Sequence, residues 1–83
     1  MRKHTKIYLD HYGYDETDFI PCEICGAKAV DIHHIEAKGM GGSKTKDYIE
    51  NLIAVCRDCH VKCHSNKAFN NRAKEIHLDK LWI

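Results

Sequence analysis

Cysteine and histidine are the residues of this chain whose spacing can do chemistry. Two identical pairs, Cys22-x-x-Cys25 and Cys56-x-x-Cys59, are separated by a strand-like run and a glycine-rich loop. Each pair offers two thiolates on one side of a turn, and four sulfur ligands suit a coordinatively closed, structural Zn²⁺. Two other readings stand beside this one. The four cysteines can be buried and bind nothing, or Cys22, Cys25, His60 and His64 can form a two-cysteine, two-histidine set. The interval from Cys25 to His60 is far longer than a compact finger of that kind uses. Cys63 is left over and reads as a small buried apolar residue on a helix.

Seven histidines are many for a chain of 83 residues. His33 and His34 are adjacent at the end of the run Asp31-Ile32-His33-His34-Ile35. His60 directly follows the second cysteine pair, and His64 lies one helical turn further. Neighbours on a strand point to opposite faces, although a bend or a strand end lets both reach one cleft. Imidazoles four apart on a helix can share one metal ion. Taken singly, each histidine reads as an ordinary surface or core residue. Four of them beside elements that zinc would draw together point instead to a second metal centre.

The elements that must place these residues are short. Eighty-three residues make one domain with a limited core, and such a scaffold commonly needs a staple. Thr5 to Tyr12 reads as a helix closed by Gly13, with Ile7 and Tyr8 inward and His11 and Tyr12 one turn later. Tyr14 to Ile20 is acidic and irregular. Cys22 to Gly26 is a metal knuckle in which Gly26 can take a positive φ. Ala29 to Ile35 and Asn51 to Cys56 are strands, joined through a glycine-rich basic loop from Lys38 to Lys46. From Arg57 the period changes to that of a helix, with Cys59 and Cys63, and His60 and His64, each four apart. Lys67 to Leu81 is a further helix with Phe69, Ala73, Ile76 and Leu81 as its inner residues.

The ordered set Cys-x-x-Cys, Asp-Ile-His-His-Ile, Gly41-Gly42, Asn51-Leu52 and Cys-x-x-Cys-His resembles the HNH endonucleases, in the form with two cysteine knuckles found in small phage and bacterial proteins. The resemblance covers Cys22 to His64, with helical flanks at 1–20 and 65–83. It implies a small α+β fold: a ββα-metal core with a four-cysteine zinc site, the whole of 1–83 forming one nuclease domain. It further implies that His34 is the general base and His33 a metal ligand, at a position where many members carry Asp. Asn51 would fix the loop and orient the base, and His60 would be the final ligand. His64 either completes a three-histidine site or merely sits nearby. The cofactors implied are structural Zn²⁺ and one catalytic divalent cation, Mg²⁺, Mn²⁺, Ni²⁺ or Zn²⁺. Phosphodiester hydrolysis needs an activated water and charge stabilisation on phosphate, and a neutral imidazole beside a cation meets both needs.

DNA is then the expected partner. Overall charge is no argument for it, since thirteen basic and twelve acidic residues nearly cancel. The positive excess lies from Cys56 onward, with six basic residues against three acidic. Lys38, Lys44 and Lys46 on the loop, and Lys62 and Lys67 on or after the metal helix, are expected to meet phosphates. A solvated charged face is the alternative for any one of them. Cutting both strands would need a homodimer or two encounters, and the resemblance implies larger phage or mobile-element machinery as a setting. No apolar run reaches membrane-spanning length, and the basic N-terminus leads into no signal region, so a cytoplasmic site is expected, which the resemblance implies is in a bacterial host cell. A reducing compartment and an odd cysteine count both disfavour disulfides. A non-catalytic zinc module that binds DNA or protein would keep the cysteines without requiring His33, His34, Asn51 and His60 together. A metal-storage or redox role would leave the strand, loop and helix framework unexplained.

Overall fold

The computed structural model describes residues 2–36 and 47–82. Gly41, Gly42, Lys38, Lys44 and Lys46 therefore lie outside the described residues. Helix α1 spans Lys3–Tyr12, strand β1 Asp31–His34, a single 3-10 turn Ile49–Asn51, strand β2 Leu52–Val55, helix α2 Arg57–Ser65 and helix α3 Lys67–Leu81. The result is an α+β fold whose core is a ββα unit. Among the described residues no helix is long and apolar enough to cross a membrane.

β1 and β2 pair antiparallel, with Asp31 opposite Val55, Ile32 opposite Ala54, His33 opposite Ile53 and His34 opposite Leu52. All four residues of β2 are buried, which explains why it reads as an unbroken apolar run. Ile53 and Val55 pack with Cys59, Cys63 and Ala73 on the side of α2 and α3. Leu52 and Ala54 pack with Tyr8 and Leu9 of α1 on the other side. The sheet is thus sandwiched, and each face of β2 holds up a different half of the molecule.

Helix limits follow from local chemistry. α1 ends at Gly13 (φ 72°), whose N–H reaches back to the carbonyls of Asp10 and Leu9. Cys56 caps α2 with its sulfur, which accepts from the N–H of Cys59 at 3.5 Å. Asn66 ends α2 through its own N–H to Lys62 O, and opens α3 by accepting from Phe69 N–H at 3.0 Å. One residue therefore turns the chain between two helices.

Several expectations are corrected by packing. On α1 the buried pair is Tyr8 and Leu9, whereas His11 is exposed and Ile7 and Tyr12 are only partly covered. The first strand is shorter than Ala29 to Ile35: it runs from Asp31 to His34, while Ala29 N–H turns to Ile20 O beside an isolated bridge between Pro21 and Lys28. Asn51 closes the 3-10 turn and does not begin the strand. On α3 the buried residues are Ala73 and His77, with Phe69, Ile76 and Leu81 half-covered.

His77 is buried because it has partners. Its Nε2 donates to the Ile49 carbonyl at 2.6 Å, and its Nδ1 meets Glu23 Oε1 at 2.8 Å. Tyr8 Oη donates to the other oxygen of Glu23 at 2.5 Å. A carbonyl can only accept, so Nε2 carries a hydrogen, and Nδ1 and Glu23 share one further proton. Both side chains are essentially inaccessible, at 0% and 1% exposure. This knot joins α1, the cysteine knuckle, the 3-10 turn and α3. Removing one partner of a buried pair strands the other. His77→Ala should therefore lower the unfolding free energy by about 3–5 kcal/mol. Tyr8→Phe, which deletes a single donor, should cost about 1–3 kcal/mol. Guanidinium unfolding of the zinc-loaded protein measures both, and a smaller loss for His77→Ala than for Tyr8→Phe would contradict the network.

Candidate functional site

The knuckle Cys22-Glu23-Ile24-Cys25-Gly26 turns tightly on Gly26 (φ 84°). Cys22 N–H bonds Ala27 O at 2.6 Å, and Gly26 N–H bonds Cys22 O at 2.9 Å. Glu23 N–H donates to Ala54 O at 3.0 Å, which fastens the knuckle to β2. The sulfurs of Cys22, Cys25, Cys56 and Cys59 then lie within 4.8 Å of one another, with Cys25 and Cys56 3.6 Å apart. Tetrahedral zinc with bonds of about 2.3 Å spaces its sulfurs by about 3.8 Å, so the donor set fits that ion. Its electrostatics favour a cation as well. Burial opposes a Cys22 thiolate, yet hydrogen bonds from the backbone of Cys25, Cys56 and Ile24 outweigh it and bring this thiol down to about 7. Burial and the neighbouring sulfurs push Cys59 strongly up. One negative charge is accommodated and the next is resisted, until a cation is present to neutralise them. Cys63 is buried in the core beside this cluster.

Between β1 and the face of α2 adjoining Cys59 and Cys63, three imidazoles converge. His33, His60 and His64 each present a ring nitrogen, and these lie within 4.8 Å. His60 Nε2 and His64 Nε2 are 3.0 Å apart, and the His33 ring centroid is 5.0 Å from each of the other two. Nitrogen ligands about 2.1 Å from a tetrahedral ion would be about 3.4 Å apart, so this set also fits a divalent cation. Two further side chains aim the rings. Asp31 Oδ2 accepts from His60 Nδ1 at 3.0 Å, which leaves Nε2 the lone pair. Asn70 Nδ2 donates to Ile35 O at 2.8 Å, turning its Oδ1 toward His33 Nε2 at 2.9 Å. His33 must then keep its lone pair on Nδ1. Burial first, and then the nearby His60 and His64, lower the His33 pKa and keep it neutral, against the opposing Asn70 bond.

His34 points the other way, as strand alternation requires. Its Nε2 lies 2.6 Å from Asp47 Oδ1, and its ring packs against His4 of α1 with centroids 4.5 Å apart. His33 and His34 nonetheless line one open cleft together with His4, Asp47, His60 and His64. Asn51 stands behind this cleft, 2% exposed. Its Oδ1 accepts from Glu36 N–H at 2.8 Å and its Nδ2 donates to Glu36 O at 3.1 Å. Ile35 N–H also bonds Asn51 O at 2.9 Å. This is a two-way amide clamp on the chain just after His34.

Of the expected lysines, only Lys62 and Lys67 lie among the described residues, and neither is in this cleft lining. Lys62 Nζ sits 5.8 Å over the Phe69 ring, and Lys67 is exposed at the start of α3. Arg2 and Lys3 line the cleft instead. Asp31 and Asn70 were legible in principle: Asp31 shares a strand face with His33, and Asn70 is a polar residue on the helix face of Ala73 and His77. His4 and Asp47 give no such signal, since only the tertiary fold brings them to His34.

A family model described as HNH endonuclease matches residues 22–68. A mitochondrial DNA mismatch repair protein mutS homolog of Sarcophyton glaucum is 41% identical over 49 residues, covering 55% of this chain and 5% of that protein. A putative COX1/OXI3 intron 1 protein of Saccharomyces cerevisiae is 38% identical over 60 residues, 60% of this chain and 7% of that protein. An uncharacterized 91 kDa protein in cob intron of Schizosaccharomyces pombe is 30% identical over 78 residues, 84% of this chain and 10% of that protein. The chain thus spans a tenth or less of each of these three relatives. No solved structure matches it significantly.

The two clusters should separate in experiment. A chelator that strips the four-cysteine metal should unfold most of the domain, as should Cys25→Ser or Cys59→Ser, read by circular dichroism and melting. Asp31→Ala should leave that zinc in place and weaken divalent-ion binding at the histidines by about 10- to 100-fold in calorimetric titration.

Proposed function

Because this chain belongs to the HNH endonuclease family, we propose that it is a metal-dependent endonuclease hydrolysing phosphodiester bonds in DNA, with His34 as general base and a divalent cation held by His33, His60 and His64. The observation that carries the reading is the convergence of three ring nitrogens in the same cleft as a fourth imidazole that stands apart from them. DNA as the substrate draws support from the relative described as a DNA mismatch repair protein. When bound, the cation supplies a Lewis acid for the phosphate and for the departing 3′ oxygen.

The chain's own residues do the rest. An ionised Asp47 accepts the Nε2 hydrogen of His34, so the lone pair sits on Nδ1, the nitrogen that takes a proton from water. As His34 becomes imidazolium, the carboxylate beside it stabilises the new charge. His33 and His60 are held in ligand tautomers by Asn70 and Asp31. His64 approaches His60 from one helical turn along α2 and acts as third ligand. Asn51 fixes the backbone that follows His34, which limits drift of the base from the cation. Arg2 and Lys3 attract the DNA backbone into the cleft. A single site of this size cuts one strand per encounter.

His34→Ala should keep the fold, the cysteine zinc and the divalent-ion affinity, while single-turnover nicking of supercoiled DNA falls on the order of a hundredfold or more. His33→Ala and His60→Ala should instead lose affinity for the divalent ion. Equal nicking rates for wild type and His34→Ala at saturating metal would remove His34 from the mechanism. Absence of nicking by wild type with any of Mg²⁺, Mn²⁺ or Ni²⁺ would favour a non-catalytic zinc module.

A further inference from the structure

The α1 side of β1 carries a second convergence of ligand atoms. His4, His34 and Asp47 each offer one, and these lie within 4.8 Å of one another. They come from the first turn of α1, the last residue of β1 and the segment entering the 3-10 turn. All three line the cleft and are held by packing, with the His34 and Asp47 side chains 17% and 6% exposed. The cluster shares no residue with His33, His60 and His64.

Two imidazoles and one carboxylate are a donor set of borderline softness. It suits Zn²⁺, Co²⁺ or Ni²⁺, whereas Mg²⁺ prefers oxygen donors and keeps its water. We propose that His4, His34 and Asp47 form a second divalent-metal site, selective for a transition-metal ion over Mg²⁺, and that filling it stops cleavage. The inhibitory half rests on the reading of His34 as general base. A neutral imidazole has one lone pair and one N–H. A cation on either nitrogen takes the lone pair, the ring stays neutral, and no pair is left to accept a proton from water. If Nε2 is the ligand, its hydrogen moves to Nδ1 and Asp47 exchanges its hydrogen bond for a bond to the ion. If Nδ1 is the ligand, the nitrogen that serves as base is itself occupied. Zinc therefore acts in opposite senses on one molecule: it builds the fold at the cysteines and silences the cleft at His34.

Calorimetric titration of Zn²⁺ into protein already carrying its four-cysteine zinc tests the site. Wild type should bind two further equivalents, and His4→Ala, His4→Gln and Asp47→Asn one. Equal stoichiometry in wild type and all three variants overturns the proposal. Nicking is then followed in saturating Mg²⁺ as Zn²⁺ is raised, each protein compared with its own zinc-free rate. Wild type should fall at least tenfold as the second equivalent binds, and His4→Ala should not. Equal inhibition of His4→Ala overturns the brake. A wild type that binds the second equivalent and keeps cutting leaves the metal site standing and overturns His34 as base.

Discussion

Cys56 is where two requirements meet on one atom. Its sulfur belongs to the four-cysteine cluster and also accepts the N–H of Cys59, so it both caps α2 and offers a metal ligand. The end of β2, the start of α2 and the knuckle at Cys22 to Gly26 are thereby tied to one point. With so few buried apolar side chains, the two faces of β2 cannot alone fix the angle of α2. Once that angle is set, His60 and His64 face His33, because Cys59 and Cys63 are committed to the core on the adjoining face of the helix.

The polar interior complements this tie. Glu23 sits inside the knuckle, and its side chain turns away from the sulfurs to meet Tyr8 and His77. The Ile49 carbonyl, two residues before Asn51, takes the remaining hydrogen of His77. The amide clamp that positions the chain after His34 is therefore anchored through α3 to the same knuckle that holds the sulfurs. Metal cluster, buried knot and clamp form one mechanical path from the stapled side of the molecule to the cleft.

Much of this was legible in the residues. The cysteine spacing, the change of period at Arg57 and the apolar run of β2 each encode a local choice that tertiary packing did not override. Although the spacing left open whether His64 joins the site or merely sits nearby, the approach of His60 to His33 was legible as well, because strand end and helix start are bound by the nearby cysteines. Positions whose partners lie far along the chain were not. His77 breaks the apolar pattern of α3 for the sake of Glu23, fifty-four residues away, and no periodicity announces that. Ile76 and Leu81 were expected inside for the same reason, since an apolar stripe was assumed where a buried ionisable pair was the driver. Arg2 and Lys3 reach the cleft only because α1 packs across β2, while Lys62 is drawn toward Phe69.

The alternation along β1 sorts residues by parity. Asp31, His33 and Ile35 face α2 and α3, and Ile32 and His34 face α1. Substitution at an odd position alters the cluster of His33, His60 and His64 or its support and leaves the even side untouched. Inserting or deleting one residue within the strand exchanges the two sides wholesale. A substitution can therefore be confined to one side of the strand, whereas a change of length across these few residues cannot. A two-residue change would restore the facing but move the pair past Leu52 and Ile53, out of reach of the helix that completes the cluster.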